Sequence, residues 1–154
     1  MRNMALIGLL LIFVAWPFAV GRSQSRPKPN ELAQTVSDAY KAKTLADLDA
    51  NHLAAATITV VIEHSLMEGK NGNGLMKVRR FRTLAAIDKW LNSQVREDGT
   101  PFRQTMPILK CSQGRCAYDF NGGILHNQLY LHDVYYSSRN GKLYITKLHL
   151  LDGD

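Results

Sequence analysis

The chain has 154 residues, of which 45% are hydrophobic and 21% are charged. This length suits one domain and is too short for two domains of ordinary size, and the composition excludes a disordered chain. The formal net charge of +6 at pH 7 favours attraction to anionic surroundings, but it defines neither a fold nor a substrate.

The N-terminal residues have the pattern of a cleavable signal peptide. Arg2 supplies a positive charge, residues 4–14 form an uncharged apolar run, and Ala19-Val20-Gly21 offers the small residues that a signal peptidase requires. The run is shorter than the about 20 residues that span a bilayer, so we expect cleavage, with an uncleaved anchor as the alternative. We therefore predict export to the periplasm or the extracellular space, no transmembrane anchor after cleavage, and three segments: a signal peptide at 1–21, an extended leader at 22–29 and a single α+β domain at 30–154.

Two cysteines, Cys111 and Cys116, are separated by four residues that include a glycine. In an oxidising compartment two cysteines this close usually pair, and the spacing suits a hairpin loop. Closing so small a loop stabilises the fold by only about 2 kcal/mol on the chain-entropy model. Redox-active pairs favour a two-residue spacing, and a zinc site needs more soft ligands, so the pattern predicts a structural disulfide.

Helical patterns occupy two regions. Two short N-terminal helices are predicted, the first with Leu32, Val36, Ala39 and Tyr40 at helical spacing and the second starting at the capping-box-like segment 44–47. The clearest helix is predicted over residues 83–96, with Trp90 beside a buried stripe formed by Leu84, Ile87, Leu91 and Val95.

The other predicted elements are strands. Residues 57–67 alternate, with Ile58, Val60, Ile62, His64 and Leu66 on one face, and residues 75–81 are expected to return as an antiparallel partner. Two hairpins follow, over 106–120 and 125–151, the second turning at Asn140-Gly141. This order predicts an α+β fold in which a curved antiparallel sheet of about six strands packs against one long helix and two short N-terminal helices.

The element order resembles the cone-shaped cystatin-like superfamily, which holds nuclear-transport-factor-like, SnoaL-like and ketosteroid-isomerase-like domains. The segments that carry the resemblance are Lys43-Thr44-Leu45-Ala46-Asp47-Leu48-Asp49, the helix at 83–91 and Tyr144-Ile145-Thr146-Lys147-Leu148-His149-Leu150. The resemblance implies a sheet wrapped around a cavity, used to bind or transform small apolar molecules, or a sheet that forms a homodimer. It implies a pocket here around Ile62, Trp90, Tyr130 and Tyr135, and no catalytic role transfers residue by residue.

His64 is a candidate catalytic residue because it lies in phase with the apolar residues of its strand. A polar ring on an apolar face must find a hydrogen-bond partner. Asp133 makes a parallel case, since it falls in phase with Leu129, Leu131 and Tyr135. An isolated carboxylate there has a raised pKa, which suits a general acid or base near neutrality.

If both strands turn these faces to one cavity, His64 and Asp133 form a proton-transfer pair, with Tyr130 or Tyr135 as a hydrogen-bond donor. The alternative is that each residue is hydrogen-bonded to backbone, or exposed by a β-bulge that exchanges the two faces of the strand.

The densest basic stretch holds Lys77, Arg79, Arg80 and Arg82. On a strand, Lys77 and Arg79 share one face and Arg80 and Arg82 the other, so the charge forms no single stripe. This pattern favours a solvated edge strand protected by charge, with binding of an anionic envelope polymer or lipid as the alternative. It argues against nucleic acid as a partner, because that needs clustered phosphate contacts.

No metal or cofactor site is predicted. His126 and His132 lie six residues apart on a strand, roughly 20 Å, which is too far for one ion, and His132 and Asp133 are expected on opposite faces. The sequence contains neither a P-loop nor a dinucleotide-binding glycine pattern, and it lacks the Gly-x-Ser-x-Gly elbow and zinc-protease motifs.

Three functional hypotheses follow from these patterns. The first is a non-enzymatic exported domain that binds a small apolar ligand or a protein partner. The second is a cavity enzyme, an isomerase, dehydratase or hydrolase, working by acid–base catalysis at His64 and Asp133. The third is an envelope module that binds anionic polymers through residues 77–82.

Overall fold

The computed structural model describes residues 28–64, 76–95, 97, 99–120 and 125–153. The predicted signal peptide and most of the predicted leader lie outside these residues, as does the glycine- and asparagine-rich connection that follows residue 67. The described part is α+β, as predicted, with one mixed sheet and three helical segments.

The helical segments differ in length from the prediction. Helix α1 spans Pro29–Ala42, a 3₁₀ helix spans Leu45–Asn51, and helix α2 spans Leu84–Asn92. The prediction of two short N-terminal helices and one long later helix is therefore wrong in detail, because α1 is the longest of the three. Helix α2 stops before Val95, which is 73% exposed and not part of a buried stripe.

Local hydrogen bonds explain where the helices begin. The proline at the first position of α1 has no N–H to leave unpaired, and Glu31 Oε2 accepts the Lys28 backbone N–H. Thr83 Oγ1 caps α2 by accepting the Ala86 N–H. The Asp49 carboxylate, at the end of the 3₁₀ helix, accepts the N–H groups of the first two residues of α2 at 2.9 Å each.

Within the described ranges, seven strands form the sheet. They are β1 (Ala54–His64), β2 (Met76–Phe81), β3 (Phe102–Thr105), β4 (Ile108–Ser112), β5 (Arg115–Tyr118), β6 (Gln128–Arg139) and β7 (Lys142–Gly153). The order across the sheet is β2-β1-β7-β6-β5-β4, and β3 pairs with β6 beyond the end of β5.

The sheet is mixed, which corrects the predicted antiparallel meander of about six strands. Strand β1 lies parallel to β7, and the unpredicted β3 lies parallel to β6. The local hairpins β1–β2, β4–β5 and β6–β7 were all predicted, but parallel contacts join segments distant in sequence, and no turn signal announces them.

The helices pack on one face of the sheet, which we call the helix face. Ile58, Val60 and Ile62 of β1 point to it and join the core formed with α1, α2 and the buried leucines of β6 and β7. The opposite side, the outer face, carries the residues that alternate with these.

The predicted disulfide is present. Cys111 and Cys116 are directly paired across β4 and β5, and their sulfur atoms are bonded. The intervening turn places Gln113 and Gly114 at positive φ, and a Cβ on Gly114 would lie 3.0 Å from the Tyr136 carbonyl oxygen, so glycine is required there.

Within the described residues, none of the helices combines the length and the apolar character that crossing a membrane would require.

Candidate functional site

A cleft of about 370 Å³ opens at one end of the sheet, on the helix face. Because β1 and β7 are parallel, their carboxyl ends meet at this end, where the chain following α2 and the residue preceding β3 complete the cleft. The volume falls in the range of small-molecule sites, about 300–1,000 Å³.

The polar centre of the cleft is a histidine–aspartate pair between two strand ends. His64 of β1 lies directly opposite Asp152 of β7, and its Nδ1 is 3.2 Å from the carboxylate Oδ2. Asp152 is buried, whereas the His64 side chain is 25% exposed. The buried carboxylate therefore lies beside the imidazole ring, and histidines placed beside a carboxylate in this way often bind a ligand or move a proton.

A cation and an apolar floor complete the lining. Lys77 of β2 donates from Nζ to Gln94 Oε1 at 2.8 Å, and both residues line the cleft. Ile62, Pro101 and Leu129 supply buried apolar surface beside these polar groups. The cleft can therefore receive a molecule with one polar and one apolar part.

A second groove, of about 510 Å³, lies at the other end of the sheet. It is lined by residues 54–57 of β1 and by side chains of β6 and β7, among which Arg139 is the charged one. Arg139 is exposed, so this groove has no buried ionisable group to orient a ligand. The cleft at His64 is the better candidate site.

A cluster of ionisable groups lies on the outer face. Strand β6 has a bulge at His132, since Leu131 pairs with Leu150 while Asp133 pairs with His149. The bulge brings two consecutive side chains together: Asp133 Oδ2 is 2.8 Å from His132 Nδ1 and 3.1 Å from His149 Nδ1. The prediction that His132 and Asp133 point to opposite faces is wrong for this reason.

Charged neighbours complete the cluster. Arg115 donates from Nε to Asp133 Oδ1 at 2.7 Å, and His149 Nε2 lies 3.0 Å from Glu63 Oε2. Burial acts to raise the pKa of Asp133, but the hydrogen bonds from His132, His149 and Arg115 outweigh it and hold that pKa well below its usual range. The same bond to Asp133 raises the pKa of Arg115. Asp133 is thus a fixed anion, and the expectation of a raised pKa is wrong.

The structure does not bring His64 and Asp133 together. His149 contacts both Glu63 and Asp133, so those two carboxylates share the outer face, while His64, the next residue after Glu63, points to the helix face. The predicted proton-transfer pair is therefore divided between the two faces, and each member has a different partner.

The residues predicted to line one pocket also separate. Ile62 lines the cleft. Trp90 packs against Phe81 with ring centroids 5.2 Å apart. Tyr130 contacts Phe120, the neighbour of His132, while Tyr135 lies beside Lys147 on the outer face. The bulge at His132 moves Tyr135 out of phase with the core leucines.

The basic residues Lys77, Arg79, Arg80 and Arg82 are all exposed, and the first three belong to the edge strand β2. Lys77 and Arg79 lie over the Trp90 ring, at 5.8 and 5.5 Å from its centroid, so they share one face of the strand, as predicted. That face is the helix face.

Several residues of both sites escaped the sequence prediction. Asp152 carries the same signal as His64, a polar residue in phase with Leu148 and Leu150, but the predicted strand ended at residue 151. The sequence pattern does not single out Glu63, Arg115 and His149, because each is a polar residue at a position where an alternating strand is expected to carry one. Only the pairing of β1, β7, β6 and β5 brings them to Asp133.

Comparison with known proteins adds no assignment: no family model matches the chain, and neither the curated proteins nor the solved structures contain a significant match.

Proposed function

We propose that this protein is a binding domain for a small amphipathic anion, a molecule with one carboxylate or sulfonate group and an adjoining apolar part. The observation that carries the proposal is the cleft at His64, where an accessible cation stands beside a buried apolar floor.

The charges favour an anion. Asp152 is buried behind the His64 ring, whereas Lys77 is exposed at the mouth of the cleft. A ligand entering the cleft meets the ammonium group and the exposed edge of the imidazole ring before the carboxylate. The net charge of +6 adds a general attraction for anions.

The apolar surface favours an amphipathic ligand over a purely ionic one. Ile62 and Leu129 are 4% and 3% exposed, so their side chains are packed in place and form an apolar floor of fixed shape. A rigid apolar floor with few polar groups is the usual composition of a ligand site, in which the polar groups fix orientation. Together, the charges and the apolar floor favour a small apolar ligand that carries an anionic group at one end.

Two matched dyes test the proposal. 1-Anilinonaphthalene-8-sulfonate carries the anionic and apolar parts together, and N-phenyl-1-naphthylamine has the same rings without the sulfonate. We expect both dyes to fluoresce on binding to the folded protein. Lys77→Gln should weaken binding of the sulfonate dye about fivefold and leave binding of the neutral dye unchanged, since an exposed charge pair contributes about 1 kcal/mol.

Lys110→Gln is the control, because Lys110 is exposed on β4 at the far edge of the sheet. Circular dichroism checks that each variant is folded. Equal sulfonate affinity in Lys77→Gln and Lys110→Gln would contradict the proposal, as would the absence of dye binding by the native protein.

We also infer that the domain works outside the cytoplasm. The signal-peptide pattern at residues 1–21 supports export, and the Cys111–Cys116 disulfide is of the kind that persists in oxidising compartments.

A further inference from the structure

We propose that His132, Asp133 and His149 bind a divalent transition-metal ion, with Zn²⁺ as the best match, on the outer face of the sheet. One donor atom from each residue lies within 4.8 Å of the others. This cluster is on the opposite face from the cleft, so the inference is independent of the proposed function.

The distances suit tetrahedral zinc. With metal–ligand bonds of about 2.0–2.1 Å, neighbouring ligand atoms lie about 3.3 Å apart. Asp133 Oδ2 is 2.8 Å from His132 Nδ1 and 3.1 Å from His149 Nδ1, so small side-chain movements admit an ion between the three. The two imidazole centroids are 5.0 Å apart at 66°, and two imidazoles on one tetrahedral ion have centroids roughly 5 Å apart.

Outer groups orient the ligands. Glu63 Oε2 lies 3.0 Å from His149 Nε2, so it accepts the proton on that nitrogen and leaves Nδ1 for the metal, the usual carboxylate–histidine–zinc arrangement. Arg115 binds Asp133 Oδ1 and leaves Oδ2 for the metal. The Phe120 ring packs 4.9 Å from the His132 ring and restricts its rotation.

The charges and donor types select the ion. With both imidazoles neutral, Asp133 and Glu63 outweigh Arg115 by one negative charge, which favours a divalent cation. Two imidazole nitrogens and one carboxylate suit zinc and its transition-metal neighbours, whereas Ca²⁺ and Mg²⁺ prefer oxygen ligands. On binding, metal–nitrogen bonds replace the two Nδ1–H···O hydrogen bonds. Each ring then keeps one proton, on Nε2, and only the second proton of a doubly protonated ring passes to solvent.

The site is open to a fourth ligand. The side chains of His132 and His149 are 27% and 16% exposed, while Asp133 is 1% exposed. Three protein ligands with solvent access leave room for a bound water, as in catalytic rather than structural zinc sites.

Metal titration of the purified protein tests this site. We expect Co²⁺ to give the visible absorption of tetrahedral coordination, and Zn²⁺ to displace it. In competition with a chromophoric chelator, Glu63→Gln should weaken Zn²⁺ about 10–100-fold, the usual effect of losing an outer-shell partner. Losing a direct ligand in His132→Gln or His149→Gln should weaken it further.

His52→Asn is the matched control, because His52 is an exposed histidine outside the cluster, and asparagine tolerates its positive φ. Thermal melts in the presence of a chelator identify any histidine variant that fails to fold. In that case the site is tested by the Zn²⁺ affinity of Glu63→Gln and by the Zn²⁺-dependent rise in Tm of the native protein. The proposal is overturned if the native protein gives no tetrahedral Co²⁺ spectrum, or if Zn²⁺ affinity in His132→Gln equals that in His52→Asn. Binding of the two naphthalene dyes in the presence of a chelator tests the cleft without the metal, so failure of one proposal can be told from failure of the other.

Discussion

At the scale of single residues, every buried carboxylate of the described chain has a partner that can carry positive charge. Asp88 binds Arg103, Asp133 binds Arg115 and two histidines, and Asp152 binds His64. An unpaired charge in the interior costs several kcal/mol, so a polar residue in an apolar pattern indicates a partner elsewhere in the sheet. The sequence marks such residues, but not their partners.

Two buried tyrosines are expected to make the folded state less stable at high pH. Tyr40 and Tyr118 each donate a hydrogen bond at 2.9 Å, to the Leu129 and Ala33 carbonyl oxygens, and burial raises the pKa of both phenols above the ordinary value of 10.0. The folded state therefore holds these protons more tightly than the unfolded state. Their contribution is complete below about pH 10 and falls as the pH rises further, by up to about 1.4 kcal/mol per pH unit for each group.

Urea unfolding at a series of pH values measures this slope. Tyr40→Phe should reduce the slope above about pH 10, because the folded state no longer holds that proton. Tyr144→Phe, at a partly buried tyrosine of β7, is the comparison. Identical slopes in the two variants would contradict the prediction.

At the scale of elements, two aspartates and an arginine fix helix α2. Asp49 caps its first turn, and Asp88 Oδ2 accepts the backbone N–H of Ala46 in the 3₁₀ helix. Arg103 of β3 donates to the Asp88 carboxylate, to the Asp88 carbonyl oxygen and to Asn92 Oδ1. Helix α2 ends at Asn92, and the residues that follow it, 93–95, line the cleft. The bonds from Arg103 therefore position one wall of the cleft.

Arg103→Met should destabilise the fold by about 3–5 kcal/mol, because it leaves Asp88 buried without its counter-ion. The free energy of unfolding in urea measures the loss. Arg82→Met removes an exposed arginine and should change stability by no more than about 0.5 kcal/mol. If the two variants are equally stable, the pair does not hold α2 in place.

At the scale of the whole molecule, the basic charge is spread over both faces of an edge strand. Lys77 and Arg79 contact Trp90 on the helix face, while Arg80 pairs with Thr59 in the alternating position. Edge strands commonly carry charge to prevent pairing with other chains, and β2 and β4 are the two edges of the main strand order. This supports a protective role over a dedicated polymer site.

Retention on heparin measures the difference. Two triple variants, each lacking three exposed cations, are compared. The test variant is Arg79→Gln/Arg80→Gln/Arg82→Gln, and the control is Lys41→Gln/Lys110→Gln/Lys142→Gln. We expect equal losses of retention, because attraction then follows the net charge. A selective loss in the arginine variant would instead favour an anionic polymer as the partner of residues 77–82.

How far the site could be predicted depends on the regularity of each strand. In β1 the alternation is unbroken from Ile58 to Ile62, so His64 was correctly placed on the apolar face. In β6 the bulge at His132 reverses the alternation, so Asp133 and Tyr135 were placed on the wrong face. A bulge inserts one residue and leaves no distinct pattern in the residue types, so periodicity alone misses it.

The sequence by itself determined the α+β class, the three hairpins, the disulfide partners and the apolar faces of α1, α2 and β1, because these depend on neighbours within one turn or one strand. Only the tertiary structure decided that β1 lies parallel to β7, that His64 meets Asp152, and that Asp133 meets His132 and His149. Those contacts join segments up to 91 residues apart, the separation of the paired residues Ala54 and Ile145. Their formation depends on how the whole sheet buries its surface, which no local pattern specifies.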